Sequence, residues 1–292
     1  MLIDLKTPFR VNVDKFKIDY KKDEVNPYMT KKILKKKYES LGYKTMQGDD
    51  FETNLLLVFV RKTRFMDKYI KVKLGEYKYN TKAEEYNQEL LDIFDFETVQ
   101  KLLFICRVCS YIGDPGFPDL IVYNKQETAL RYVYAGDEIL ANKIVFILLS
   151  KIFGLEIKFS AVDFSDYQSP EFIEIDTLKS LESAMQSMEK RVNLEKPEDV
   201  GIDLNFFKKW INSKSIDAED LLGSYNNFVK LANSQGKLKE LVSKLETLNS
   251  SQILGSKEKP ERLKALRDNL GVNMMEAIDV LNLWEIMHQR PF

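Results

Sequence analysis

Cysteine and histidine are nearly absent from this chain, at two and one in 292 residues. A structural zinc needs about four Cys or His ligands. Cys106 and Cys109 form a Cys-x-x-Cys with no second pair, so they read as two small apolar residues packed inside a helix. A redox motif would open a helix directly after a strand, which is not their setting. The single histidine disfavours a Ser-His or Cys-His nucleophile pair. His288 closes an amphipathic helical run, where a cation suits the helix C-terminus.

Long apolar runs are missing too. The longest, Leu55 to Val60 and Ile144 to Leu149, fall far short of the ~18 residues of a membrane span. The opening MLIDLKTPFRVNVDKF lacks the charged-then-apolar pattern of a secretory signal. The chain is therefore expected to stay in the cytoplasm with no membrane partner. No phosphate-cradling glycine loop, internal repeat or low-complexity tail occurs.

Charge of one sign is scarce only in total. The net charge is −1, but residues 1 to 80 hold 19 of the 44 Lys and Arg against 11 of the 45 Asp and Glu, so that end is at +8 and the remainder at −9. A basic end is the footprint that a polyanion engages.

Along the chain, Met1 to Asn26 alternates loosely through Val11, Val13, Phe16 and Ile18, which predicts an arm or edge strand. Pro27 permits a helix over 28–41 with Leu34, Tyr38 and Leu41 on its apolar stripe and Lys31, Lys32, Lys35, Lys36 and Lys37 over the rest, ended by Gly42. Leu55 to Val60 reads as a strand, the first of the core. From Arg61 onward Lys62, Arg64, Lys68, Lys71, Lys73 and Lys78 mix with Phe65, Tyr69, Tyr77 and Tyr79. The alternation of Tyr69 to Leu74 predicts a hairpin presenting cations and rings, suited to phosphates and unpaired bases, or else a solvated edge guarded by lysines. Thr81-Lys-Ala-Glu84 is a capping box that opens a helical insertion over 81–112, broken near Asp95-Phe96.

The most organised stretch follows. Asp119 to Tyr123 and Thr128 to Tyr134 predict two strands of a hairpin. Gly136-Asp137 then precedes a helix that is apolar nearly all round, from Ile139 to Ile152, and therefore buried. Gly154 stops it, and Leu155, Ile157, Phe159 and Ala161 alternate as a return strand on which Glu156 and Lys158 form the wet face. Beyond Phe164 the pattern turns helical: Leu178 to Val192, an aromatic helix at Phe206, Phe207 and Trp210, a four-leucine stripe from Leu238 to Leu248, and Met274 to Trp284 capped by Asn273.

The run Gly116-Phe117-Pro118-Asp119-Leu120-Ile121-Val122, the Gly136-Asp137 helix opening and the return strand from Gly154 to Val162 together resemble the core of the PD-(D/E)XK nuclease superfamily. Within it the likeness is to Holliday-junction-resolvase-like and VRR-NUC domains. The resemblance implies an α/β fold, a mixed sheet flanked by helices with a restriction-endonuclease-like core, over residues 1–165, followed by an all-α C-terminal domain over 166–292. It also implies a metal-dependent phosphodiester hydrolase in which Asp119 binds Mg²⁺ or Mn²⁺, with Glu127 or Asp114 as the second carboxylate and Lys143 or Lys125 near the attacking water. The family's Glu-x-Lys strand here reads Leu130-Arg131-Tyr132-Val133-Tyr134, without carboxylate or lysine, and the only acid of the opening helix is Glu39. A hard Mg²⁺ ion needs several oxygen ligands, and Arg131 would repel it.

Two functions stay open at this point. One is a metal-dependent nuclease. The other is a nuclease-like scaffold without cleavage, which either binds DNA or RNA through Lys31, Lys32, Lys35, Lys36, Arg61, Lys62, Arg64, Lys71 and Lys73, its helical C-terminal part contacting another protein or itself, or serves only in structure or protein interaction with no nucleic acid.

Overall fold

The structure is a computed structural model that describes residues 2–76, 89–113, 116–134, 136, 139–190, 196–248, 250–255 and 258–288. It is an α/β protein whose chain divides into two compact units, Met1–Glu52 with Gln100–Asn226, and Thr53–Val99 with Asn227–Phe292.

The first unit is built on a six-stranded mixed sheet in the order β3-β4-β5-β6-β2-β7. Its strands are β2 (Phe9–Lys17), β3 (Lys44–Gln47), β4 (Leu120–Tyr123), β5 (Thr128–Tyr134), β6 (Ile157–Asp163) and β7 (Phe172–Ile175). The β4–β5 hairpin is antiparallel, with Leu120 opposite Arg131 and Tyr123 opposite Thr128. β5 and β6 run parallel, Arg131 opposite Lys158, joined through α5 (Ala141–Ile152). A buried helix is the usual means of returning a chain to a parallel neighbour. Helix α1 (Pro27–Ser40) covers one face, packing Leu34 and Tyr38 on Leu120, Val122 and Val162. Asn26 caps it by accepting from the Met29 amide at 2.9 Å. On the α5 face Phe146 meets Tyr132 at 6.4 Å between ring centroids and Phe117 at 5.5 Å. A two-stranded pair, β1 (Leu2–Asp4) with β8 (Ser215–Asp217), and helices α6 (Thr177–Glu189) and α7 (Asn205–Ser213) complete this unit. Three further helices contribute to both units: α2 (Gly48–Thr63), α4 (Phe96–Ile112) and α8 (Ala218–Ser234).

The second unit is helical among its described residues, with α3 (Lys68–Glu76), α9 (Gly236–Thr247), α10 (Ser250–Leu254), α11 (Lys259–Leu270) and α12 (Met274–His288). Phe59, Phe65 and Phe228 form its aromatic centre, Phe228 lying 5.7 Å from Phe59 and 5.8 Å from Phe65.

Several expectations are corrected. Leu55 to Val60 lies within helix α2, each residue no more than 2% exposed, and is not the first core strand. A short apolar run has no period of its own, and burial on all sides suits a helix as well as a strand. Tyr69 to Leu74 lies within α3, not a hairpin, since an alternation of six residues is too short to exclude the helical period. The Val11 to Phe16 strand is interior rather than an edge: β2 pairs with β6 through its second half and with β7 through its first. The division at 165/166 is crossed by β7, which pairs Phe172 with Asn12 and Ile175 with Phe9 and so belongs to the main sheet. The hairpin, α5, β6 and the later helices lie where the sequence puts them, as does the break before Phe96. The capping box at Thr81, together with Tyr77, Lys78 and Tyr79, lies outside the described residues.

Candidate functional site: a lysine-enclosed aspartate

Asp119 stands at the opening of β4, beside the carboxyl end of β5. In an open α/β sheet this end of the parallel strands is where ligands gather. Its main-chain oxygen accepts from the Gly48 amide at 3.1 Å, and its Oδ2 accepts from the Val133 amide at 2.9 Å. Lys143, from the first turn of α5, brings its Nζ to 3.7 Å from Oδ2, and Lys31, from α1, to 3.9 Å from Oδ1. The Lys143 ammonium also lies 5.3 Å from the centre of the Tyr132 ring. Lys143, named from the sequence as a lysine near the attacking water, is here an ion-pair partner of Asp119, and Lys31, named for nucleic acid, is a second.

Glu127 is not there. Extending the hairpin register sets Asp119 opposite Tyr132, five residues from Glu127, or ~17 Å along a strand. The two carboxylates cannot share one ion whose ligand distances are ~2.1 Å. Glu127 instead accepts from Lys158 at 3.0 Å and from the Tyr43 hydroxyl at 3.2 Å. The Lys158 hydrogen bond holds its carboxyl below the ordinary range. Lys158 pairs with Glu156 as well, at 3.0 Å, so Glu156-Ile157-Lys158 is a solvated ion-pair ladder and not a displaced metal motif. Lys125 lies in the turn that joins β4 to β5, remote from Asp119, while Asp114 and Asp137 lie outside the described residues. Among the described residues no group of three or more His, Cys, Asp and Glu is placed to hold a metal ion.

Where the resemblance would set a Glu-x-Lys, β5 carries a buried arginine. Arg131 is 4% exposed and its guanidinium lies 4.7 Å from the Tyr38 ring, where it pairs with Asp14. The Tyr38 hydroxyl and Ser160 Oγ are 2.9 Å apart, and burial pushes the phenol above its ordinary value. Sequence reasoning missed Asp14, Tyr38 and Ser160 as partners of Arg131. They come from three separate segments, and nothing local to any of them signals the meeting.

The basic residues divide between the two units. In the first, Lys32 and Lys36 are exposed on α1 without an ionic partner among the described residues, while Lys35 lies 3.9 Å from Glu39. In the second, Arg61 donates twice to the Ile286 carbonyl at 3.3 Å, Arg64 reaches Glu246 at 3.4 Å and Lys71 reaches Asp279 at 2.7 Å. Arg61 and Lys71 tie α2 and α3 to α12, and Arg64, just past α2, reaches α9, rather than offering a row to solvent. Lys62 is exposed, and Lys73 is engaged within the molecule.

Cys106 and Cys109 are buried in α4, and burial pushes the Cys109 thiol far above its ordinary value. A thiol held protonated is not nucleophilic. Ellman's reagent is accordingly expected to leave both cysteines untouched in the folded protein and to titrate both in denaturant; rapid reaction of either without unfolding would contradict this placement. His288 ends α12 stacked on Trp284 at 4.6 Å. A cavity of about 480 Å³ opens between α5, β7 and α6, walled by Leu140, Ile144, Ile173 and Lys179, and no residue predicted for the site lines it. No described helix is long and apolar enough to cross a membrane. Comparison of the chain with protein-family models, with curated proteins and with solved structures finds no match.

Proposed function

We propose that the protein binds nucleic acid along α1 and leaves it uncut. The observation that carries this reading is a solvent-facing stripe on that helix. Tyr28 is 73% exposed, and Lys32 and Lys36 follow it at successive turns, an aromatic face and two unpaired ammoniums on one line. Rings stack on bases and ammoniums neutralise phosphates, so such a line suits a single strand. Restriction-endonuclease-like ancestry of the first unit is supported by its sequence of antiparallel hairpin, buried helix and parallel return strand. Cleavage is disfavoured because the Asp119 corner does not suit a magnesium ion. Both carboxylate oxygens face ammoniums, one of them also accepts a main-chain amide, and among the described residues no group of three or more His, Cys, Asp and Glu is placed to hold a metal ion.

The expected result is that a short single-stranded DNA or RNA binds at low salt with no requirement for divalent metal, and that chelators have no effect. The double variant Lys32→Ala/Lys36→Ala weakens binding about tenfold and lowers the slope of log K against log salt by about 1.4, two phosphate contacts at about 0.7 each. Absence of binding to either polymer at low salt would overturn the reading. One observation favours the second reading, metal-dependent cleavage: a lysine and the strand-opening aspartate do stand 3.7 Å apart. Magnesium-dependent cleavage that disappears in Asp119→Ala would establish it in place of the first.

A further inference from the structure

The sheet of the first unit ends on β7, whose outer side no described strand covers. Its register with β2 sets Phe9 opposite Ile175, Arg10 opposite Glu174, Val11 opposite Ile173 and Asn12 opposite Phe172. One step further along, the Val13 amide donates to the Glu171 carbonyl at 3.0 Å, which marks those two residues as a pair that exchanges hydrogen bonds. Such pairs recur at every second residue of an antiparallel ladder. Ile173 and Ile175 therefore direct their main-chain groups at β2, and the amides and carbonyls of Phe172 and Glu174 point away from it. Among the described residues nothing bonds to those groups, and both residues are exposed. The four residues of β7 include neither lysine nor proline, the usual guards of an open edge.

The same strand forms one wall of the cavity of about 480 Å³. Four consecutive residues, Ile173 to Asp176, line it and face Ile139, Leu140 and Ile144 at the opening of α5. The Glu174 carboxylate accepts from Arg10 at 2.8 Å, on the face of the sheet opposite Ile173 and Ile175, so Glu174 borders the cavity through its main chain. Polar groups at the start of α6 are engaged with one another: Asp176 accepts from the Lys179 amide at 3.0 Å, and the Ser180 hydroxyl donates to the Asp176 carbonyl at 2.7 Å. Apolar surface thus lies directly beside free peptide groups. Donors and acceptors that recur every ~6.8 Å, two residues of a strand, are matched by another extended chain and not by a compact solute.

We infer that β7 is a docking edge for an extended segment of a partner protein, which adds a strand to the sheet and seats a large apolar side chain in the cavity. Leu140, 63% exposed on the cavity wall, is covered in that complex. The inference is independent of the α1 stripe.

Hydrogen exchange on the free full-length chain is the first test. The Glu174 amide should exchange fast and those of Ile173 and Ile175 slowly; a slow Glu174 amide would show the edge already covered and overturn the inference. The ligand probe is a displayed library of random octapeptides, with calorimetry on the enriched sequences. These should carry apolar residues at alternate positions and protect the Glu174 amide when bound. Glu174→Pro removes the outward amide but leaves the ladder to β2, because proline is tolerated where the amide faces away from the sheet, and it should weaken binding at least about tenfold. Glu174→Ala keeps the amide and should bind as the parent does. Leu140→Asp puts a charge on the cavity wall and a favourable cap on α5, which has no side-chain cap, so the helix persists while binding falls about tenfold. Circular dichroism checks that each variant is folded. Failure of the library to enrich, or binding undiminished in either Glu174→Pro or Leu140→Asp, overturns the inference. So does a dimer of the free chain that Glu174→Pro dissociates, since the occupant is then a second copy. None of these outcomes bears on α1, which Lys32→Ala/Lys36→Ala tests separately.

Discussion

Replacing Gly48 by alanine is expected to destabilise the protein by about 3 kcal/mol, the upper part of the range for overpacking a filled site. A Cβ at this buried position would lie 2.1 Å from the Pro118 carbonyl oxygen and 3.2 Å from its carbon. The obstacle is main chain, held in place by the Gly48 amide bonding to the Asp119 carbonyl at 3.1 Å, so it cannot swing aside as a long side chain would. Alanine does gain about 1 kcal/mol of helix propensity over glycine. That gain is the smaller effect, and because the clash bears on the residue preceding Asp119, the substitution should also displace the lysine-enclosed corner. Chemical denaturation measures the first effect; a Gly48→Ala protein as stable as its parent would show that α2 does not begin against Pro118.

Arg262→Ala should cost about 3 kcal/mol at neutral pH, the lower end for breaking a buried ion pair because the arginine is partly exposed. Glu285, on α12, is 2% exposed, and its Oε1 accepts from Arg262 at 3.0 Å. Burial raises its carboxyl above the ordinary range, and Arg262 draws it partly back. Since the folded state holds this proton more tightly than the unfolded chain, Glu285 costs no stability below about pH 4, where both states are protonated. The cost grows as pH rises through the unfolded value towards the folded one. Without Arg262 the carboxyl rises further, so the deficit of the variant should be greatest at neutral pH and narrow towards pH 4. Adding Glu285→Gln to Arg262→Ala should restore most of the loss. A deficit that is independent of pH, or one that the double variant leaves intact, would mean that packing of the arginine stem and not charge is responsible.

Much of the first unit was legible because its strands and helices differ in period. Thr128 to Tyr134, rich in aromatic and β-branched residues after a polar turn, forms the strand expected. The helix behind it is apolar nearly all round, and its Val145 to Ser150 stretch is buried. The 28–41 helix carried its own signals, a proline at its first position, a core stripe and a closing glycine, and the structure begins and ends it there. Leu55 to Val60 and Tyr69 to Leu74 failed for the opposite reason: a run of six residues has too few repeats to separate a period of two from one of 3.6. β7 escaped notice because four residues between a loop and a helix cap leave little pattern, and it becomes a strand through pairing with β2.

At the candidate site the sequence supplied residue types and local order. It set Asp119 at a strand opening, Lys143 one helix later and a lysine-rich helix near the start of the chain, all consequences of side-chain periodicity and turn chemistry over a few residues. The tertiary structure decided their company: Lys31 and Lys143 on Asp119, Glu127 at the far end of the hairpin, Arg131 with Asp14 beneath Tyr38. Such meetings are governed by strand order and register, which depend on how whole faces pack and not on any short window of sequence. A carboxylate that reads as a metal ligand in isolation is thereby held between two ammoniums.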